Sequence, residues 1–442
     1  MRTALKKSLL VLAVSGAIIA PVANATNGYF AHGYSTKEKG VAGAGTAYSQ
    51  DSLASATNPA GMAFVGERLD VGAAIFSPSP RSFTLTGAPN PGSFVNASPG
   101  VEIESEKDFF LIPHFGTNWQ MDEDTTIGLA IYGNGGMNTE YNASDTPGGA
   151  GVFGAGDAGV NLEQVFFNTS FSKKLDDKQA VGASVIVAAQ RFLAKGINSF
   201  GGFSLDGANL GNNTHSYGYG VGLKIGYQGE VSDGVRVGVS YQSKINMSEF
   251  DEYAGLFAEG GDFDIPSTYN IGVSFDVGSS AMIIADVQRI NYTDIASISD
   301  PIQQLINGSC NPSPAFGGTG PAGAGCLGGA AGAGFGWNDI TIIKVGYQVD
   351  VDDTTYRVGY SHSDQPIPED QTLFNILAPA VIEDHITAGM TMRLDNNQEF
   401  NVSGMYAPSA SVKGANPFDG GATQIEIEMS QWEIQAGWAW KH

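Results

Sequence analysis

After residue 25 the sequence contains no apolar run approaching the ~20 residues that a membrane-crossing helix needs, which excludes a helical membrane protein. Basic residues are scarce: 22 Lys and Arg stand against 45 Asp and Glu, a formal charge of −23. So acidic a chain is no partner for nucleic acid. There are two cysteines, Cys310 and Cys326, both in one Gly- and Pro-rich stretch. A bridge closing that loop is the simplest reading, since a metal site would want more ligands nearby. The six histidines are scattered, with no HExxH and no paired spacing. No metal, cofactor or catalytic constellation is therefore expected. His362 and His385, with Asp364 and Asp384, come nearest to a hydrolytic grouping, and the chain is read as not an enzyme.

The first 25 residues read as an export signal. Arg2, Lys6 and Lys7 form a basic start, Ser8 to Ile19 an apolar run, and Ala23-Asn24-Ala25 a cleavage site. Removing those three basic residues takes the formal charge to −26. The mature chain is expected outside the cytoplasm, where a disulfide is stable.

From residue 66 the dominant period is two. Val235, Val237, Val239 and Tyr241 alternate with Arg236, Gly238, Ser240 and Gln242, and Ile386, Ala388, Met390 and Met392 with Thr387, Gly389, Thr391 and Arg393. Such segments lie near 66–77, 105–119, 124–141, 162–175, 178–194, 214–230, 234–250, 264–276, 279–296, 336–350, 353–364, 381–395, 398–412 and 424–440. They are joined alternately by short turns, such as Asp176-Asp177 and Asn396-Asn397, and by long loops. An even count of long strands, with tight turns at one end and long loops at the other, predicts an all-β fold: a 14-stranded antiparallel transmembrane β-barrel over 66–442. Trp119, Tyr347, Tyr360, Tyr406, Trp438 and Trp440 share the apolar parity near strand ends, as interfacial girdles do. A soluble sandwich would instead need charged outer faces on strands this long. In the last strand Ile425, Ile427 and Met429 occupy the parity that Glu433 and Gln435 hold further on. Either a bulge intervenes near Ser430, or the strand rises above the membrane with its apolar side turned into the lumen.

Residues 26–65 are a soft stretch of Gly, Ala, Ser and Thr ending in Asn58-Pro59-Ala60 just before strand one. With the 14 strands and the segment "QPIPEDQTLFNILAPAVIEDHITAG" from Gln365 to Gly389, this resembles the FadL family of outer-membrane channels for hydrophobic compounds, including its toluene-uptake branch. The resemblance spans 26–442. It implies a bacterial outer-membrane monomer that carries long-chain fatty acids or aromatic and aliphatic hydrocarbons passively. It further implies contact with outer-membrane lipid and lipopolysaccharide, and insertion by the barrel assembly machinery, which would depend on Trp438 and Trp440 or tolerate Lys441 and His442 beyond the usual terminal aromatic residue.

The same resemblance makes 26–65 a hatch in the lumen, latched at Asn58, Pro59 and Ala60. It makes Gly133-Asn134-Gly135-Gly136 a kink in strand three that opens a lateral gate; by themselves, glycines inside a strand mark a bulge or a close backbone approach. Outer loops 195–213 and 251–263 carry Phe200, Phe203, Leu205, Leu256 and Phe257 in Gly/Asn/Asp-rich sequence. Such clusters are candidates for an outward-facing capture groove or for packing of the loops on each other. For a ligand carboxylate, Arg191 and Lys344 are candidate contacts, although strand parity puts Arg191 on the lipid side unless a bulge follows Ala188-Ala189. A general diffusion porin is the rival reading, and behind it an outer-membrane enzyme or an adhesin using loop 297–335.

Overall fold

The computed structural model describes residues 27–90, 92–314, 317–319, 322–394 and 397–442. The export signal expected over 1–25 lies outside the described residues, as does Asn396 of the Asn396-Asn397 turn.

One antiparallel sheet closes on itself. Its strands are β1 (Arg68–Ser77, continued by Arg81–Gly87), β2 (Glu102–Glu104 and Phe110–Gln120), β3 (Thr125–Asn138), β4 (Gly159–Asp176), β5 (Gln179–Lys195), β6 (Ser216–Ser232) and β7 (Val235–Gln242 with Asn246–Met247). They continue as β8 (Thr268–Val277), β9 (Ala281–Ile290), β10 (Ile340–Val351), β11 (Thr354–Ser363), β12 (Asp384–Leu394), β13 (Gln398–Ala415) and β14 (Thr423–Lys441). Each strand pairs with the next, and β14 closes the barrel on β1, with Arg68 opposite Lys441 and Ser77 opposite Trp432. The predicted strand nine runs too long at its end, because the chain turns into a helical loop at Tyr292–Asp294.

Two unlike solvents explain the alternation. Val185, Val187, Leu223, Ile225, Ile271 and Val358 are exposed on the outer surface, while Ser184, Lys224, Asn270, Asp286, Lys344 and Arg357 are buried on the inner one. Trp119, Tyr347, Tyr360 and Tyr406 are exposed on the outer face. In β14 the odd-numbered residues stay buried throughout, from Ile425 to Ala439. A bulge does lie beside Ser430, but on the neighbouring β13, whose register slips between Ala407 and Ala410; β14 itself keeps its parity, so the apolar side of its outer half faces the interior, where Ile425 and Ile427 meet Leu85 and Phe83 in register on β1.

Residues 27–65 fill this interior. Three short helical turns, Thr36–Lys39, Ala54–Thr57 and Pro59–Phe64, are almost wholly buried. The partners of the whole 27–65 segment are inward side chains from many strands: Asp70 on β1, Ser172 on β4, Asp286 on β9, Arg357 on β11, and Glu399 and Glu433 on β13 and β14. Lys37 meets Glu399 at 2.6 Å and Lys39 meets Glu433 at 2.7 Å, with both pairs buried. Buried pairs of this kind specify one seating, because removing either partner strands a charge.

Candidate functional site: an apolar cavity and a gap in the barrel wall

The alternation of burial in β3 stops at Ala130, beyond which every residue of both parities is buried. The strand has turned inward, away from lipid. The cause is local: the register against β4 slips between Gly133 and Gly135, so that Asn134 is an extra residue in a bulge. The other edge of β3 records the consequence. β2 and β3 pair only from Gln120/Thr126 to Phe115/Ile131. Beyond that point Phe110–His114 of β2 stays with β1, while β3 from Tyr132 onward stays with β4. The wall closes again where the Glu106 amide donates to the Glu140 carbonyl at 2.8 Å and Lys107 pairs with the Glu140 carboxylate at 2.6 Å. The gap runs along β3 for roughly 20 Å at the usual strand rise.

Behind this gap the N-terminal segment takes the edge that β2 has left. The Ala31 amide donates to the Asn134 carbonyl at 2.9 Å, and the Gly136 amide donates to the Tyr29 carbonyl at 3.0 Å, which bridges Phe30 to Gly135. A side chain at Gly135 could not be accommodated: its Cβ would stand 2.0 Å from the Tyr29 oxygen. Tyr29 is fixed from the other side by Tyr292, whose hydroxyl accepts from the Tyr29 amide and donates to the Asn27 carbonyl. A small cavity lies at the gap, between Ile112 and Pro113 of β2, Tyr132 and Gly133 of β3, and Ala31 and Tyr34.

Higher in the barrel the long loops enclose an apolar cavity of about 40 Å³. Phe192, Phe200, Leu256, Phe257, Phe374 and Leu377 line much of it, and among the described residues none of those lining it is ionisable. Here the structure corrects the capture groove expected from sequence. Phe200, Phe203 and Phe257 are buried, and Leu256 is packed against the same core. Phe200 stacks on Phe94 at 4.9 Å and meets Phe374 edge-on at 5.4 Å. Loops above a barrel have an interior to fold into, so their apolar residues turn inward rather than form an outer groove. Leu205 alone among the five is exposed, at 48%, and does not line the cavity. A smaller cavity, bounded by Gly28, Arg81, Met137, Asn138, Thr139 and Leu377, lies between the apolar cavity and the gap, with Leu377 belonging to both linings.

Both candidate cations are also corrected. Arg191 points outward, because β5 runs without a bulge past Ala188 and Ala189, and it makes a two-point ion pair with Glu163 on β4 at 2.9 and 3.0 Å. Lys344 does face the interior, but its ammonium donates to the carbonyls of His32 and Gly43, at 3.2 and 3.3 Å. It holds the N-terminal segment, and it is absent from the lining of the apolar cavity.

Asn58 is fully buried and joins three places. Its Nδ2 donates to the Thr46 carbonyl at 2.7 Å and to the Tyr227 carbonyl of β6 at 2.9 Å, and its Oδ1 accepts from the Ala60 amide. Pro59 and Ala60 sit against Gly182 of β5, where a Cβ would stand 2.4 Å from their backbone. Cys310 and Cys326 are disulfide-bonded. His362 and Asp384 form an exposed pair, whereas His385 is buried against Gln431 and Ser361, so the nearest hydrolytic grouping is split between two faces of the wall.

Sequence reasoning did not pick out Tyr29, Phe374 or Leu377 individually. The run Leu373-Phe374-Asn375-Ile376-Leu377 carried a signal, being apolar within an otherwise polar loop.

The sequence matches the family described as outer membrane protein transport protein (OMPP1/FadL/TodX) over residues 16–420. No functionally curated protein matches it. The fold is similar to that of the Pseudomonas putida toluene transporter TodX, with a TM-score of 0.66 at 18% identity, covering 93% of this chain and 99% of that one. It is equally similar to a Pseudomonas aeruginosa FadL homologue, with a TM-score of 0.66 at 15% identity over 94% and 99% of the two chains. The Ralstonia pickettii toluene transporter TbuX follows, with a TM-score of 0.59 at 14% identity over 93% and 98%. With its closed barrel, filled interior and family match across most of its length, the chain belongs to the OMPP1/FadL/TodX family of outer membrane transport proteins.

Proposed function

We propose that this protein is a passive, non-enzymatic channel for uncharged hydrophobic molecules, which enter the apolar cavity beneath the loops and leave sideways into the membrane through the gap between β2 and β3. The gap carries the reading: two neighbouring strands part at Phe115/Ile131 beside a bulge, and a chain segment joined to β3 by two backbone hydrogen bonds lies across the opening. A general diffusion porin would have little use for an interior filled by residues 27–65. The cavity favours hydrocarbons over carboxylates, because its described lining offers no cation to a charged head group. Its volume of about 40 Å³ is below the ~150 Å³ that takes up benzene in an engineered apolar core, so a ring enters as Phe200 and Phe374 swing aside. The similar toluene transporters support hydrocarbons as the class to test first.

The test is uptake of toluene, decane and oleate by cells that have this channel as their only such route. Deleting Asn134 removes the extra residue and lets β3 run straight past the bulge. Toluene or decane uptake above channel-free cells is expected for the native protein, with oleate slower. At least a tenfold loss is expected in the deletion variant, with heat-modifiable migration on gels unchanged. Uptake that survives the deletion in folded protein rejects sideways exit.

A further inference from the structure

A line of side-chain amides runs along the inner wall from the gap to the cavity. The Tyr34 hydroxyl donates to Asn134 Oδ1 at 3.3 Å, and Asn134 Nδ2 donates to Gln164 Oε1 of β4 at 3.0 Å. Gln164 Nε2 donates to Gln190 Oε1 of β5 at 3.1 Å, and Gln190 Nε2 to the Phe263 carbonyl at 2.8 Å. Asn134, Gln164 and Gln190 are all buried, at 0, 0 and 3% exposure.

The direction of this line is forced. The Phe263 carbonyl only accepts, so Gln190 must present its NH2 to it and its oxygen to Gln164. The same logic orients Gln164 and then Asn134, leaving the Asn134 oxygen for Tyr34. Hydrogen bonds aligned head to tail polarise one another, and in a buried setting a break anywhere leaves donors and acceptors stranded.

The two ends lie at the two halves of the proposed path. Asn134 is the bulge residue whose carbonyl holds Ala31 across the gap. Phe263 packs on Phe257 at 4.8 Å, and Phe257 lines the apolar cavity. Phe263 also lies 6.2 Å from the ring of Tyr29, whose carbonyl bonds Gly136. A ligand that displaces Phe257 therefore pushes on Phe263, and the Phe263 carbonyl is one end of the amide line.

We propose that Gln164 and Gln190 are positioning residues that couple filling of the apolar cavity to release of the N-terminal segment from the bulge of β3. This rests on the reading of the gap as the exit. Neither side chain lines the apolar cavity, so neither is needed for capture.

The experiment compares Gln164→Met, Gln190→Met and the double variant, chosen to keep side-chain length while removing the amide. Maximal toluene uptake is expected to fall at least fivefold in each single variant, with the half-saturating concentration unchanged. The double variant should fall no further, since a line broken once is already broken; two unconnected structural sites would instead add. In purified protein, toluene should speed hydrogen exchange at the Ala31 and Gly136 amides, and Gln190→Met should abolish that response. Should Gln164→Met fail to assemble, Gln190→Met and the exchange measurement decide alone. Native uptake in folded Gln190→Met, additive losses, or an exchange response that survives Gln190→Met overturns the proposal. If the Asn134 deletion blocks uptake while the Gln variants do not, only the coupling is wrong. If the deletion also leaves uptake intact, the exit reading falls with it.

Discussion

Asn58 concentrates in one side chain what the soft N-terminal segment needs in order to be held. It caps the turn Pro59–Phe64 through Ala60, ties that turn to Thr46 within the segment, and ties both to the wall at Tyr227. Alanine at this position removes both donated bonds and the one accepted from Ala60, and a buried group left without a partner, such as the Thr46 carbonyl, costs about 1–3 kcal/mol. None of the lost bonds is needed to zip one wall strand to the next. Asn58→Ala is therefore expected to assemble with normal heat-modifiable migration, while single-channel recordings in planar bilayers show ion leakage that the native protein lacks. Recordings as quiet as native would show that Asn58 does not hold the segment in place. The Asn-Pro-Ala turn was visible in the sequence; its wall partner was not, because a strand carbonyl carries no signature.

At the scale of elements, legibility depends on how many solvents an element meets. Wall strands face lipid on one side and a polar interior on the other, and the period of two records it; Arg191 sits outward as its parity requires, and only the wish for a head-group contact argued otherwise. Loops meet water and the interior without a fixed period, so Phe200, Phe203 and Phe257 gave their character but not their direction. The loop Phe250–Phe263 illustrates a further property that sequence hides. Burial, with the neighbouring Asp264 adding to it, pushes the Asp262 carboxyl up to about 7, and Lys244 opposes this more weakly. Unfolded, the same group titrates near ~3.9. Between those values the folded loop holds more protons than the unfolded chain, so stability falls as pH rises through that window and the loss is complete above it. Hydrogen exchange across 250–263, corrected for intrinsic rates, is expected to show weaker protection at pH 8 than at pH 5.5. Asp262→Asn should remove the difference; equal protection at both values in the native protein would refute the assignment.

For the whole molecule, strand count and closure followed from pattern, whereas the filled interior and the opening in the wall were expected only from the family resemblance. Gly133, Gly135 and Gly136 announced an irregularity, but the parting of β2 from β3 depends on β2 staying with β1 and on Tyr29–Ala31 occupying the abandoned edge. Those are contacts among segments distant in sequence. On the proposed route two cavities meet at one residue. Leu377 lines both the apolar cavity and the smaller one beside Met137 and Thr139, and its carbonyl is held by the Thr139 hydroxyl at 2.8 Å. Its backbone cannot retreat without losing that bond, so side-chain size at this position sets the width of the passage. Leu377→Trp adds a large ring where two cavities meet, which spreads an overpacking cost of typically ~1–3 kcal/mol into existing free space. Toluene uptake should fall at least tenfold in a normally assembled barrel, and Leu377→Ala should retain or raise it. Loss in both variants would mean that Leu377 supports the loop rather than bounding a passage, and unchanged uptake in Leu377→Trp would place the route elsewhere in the barrel.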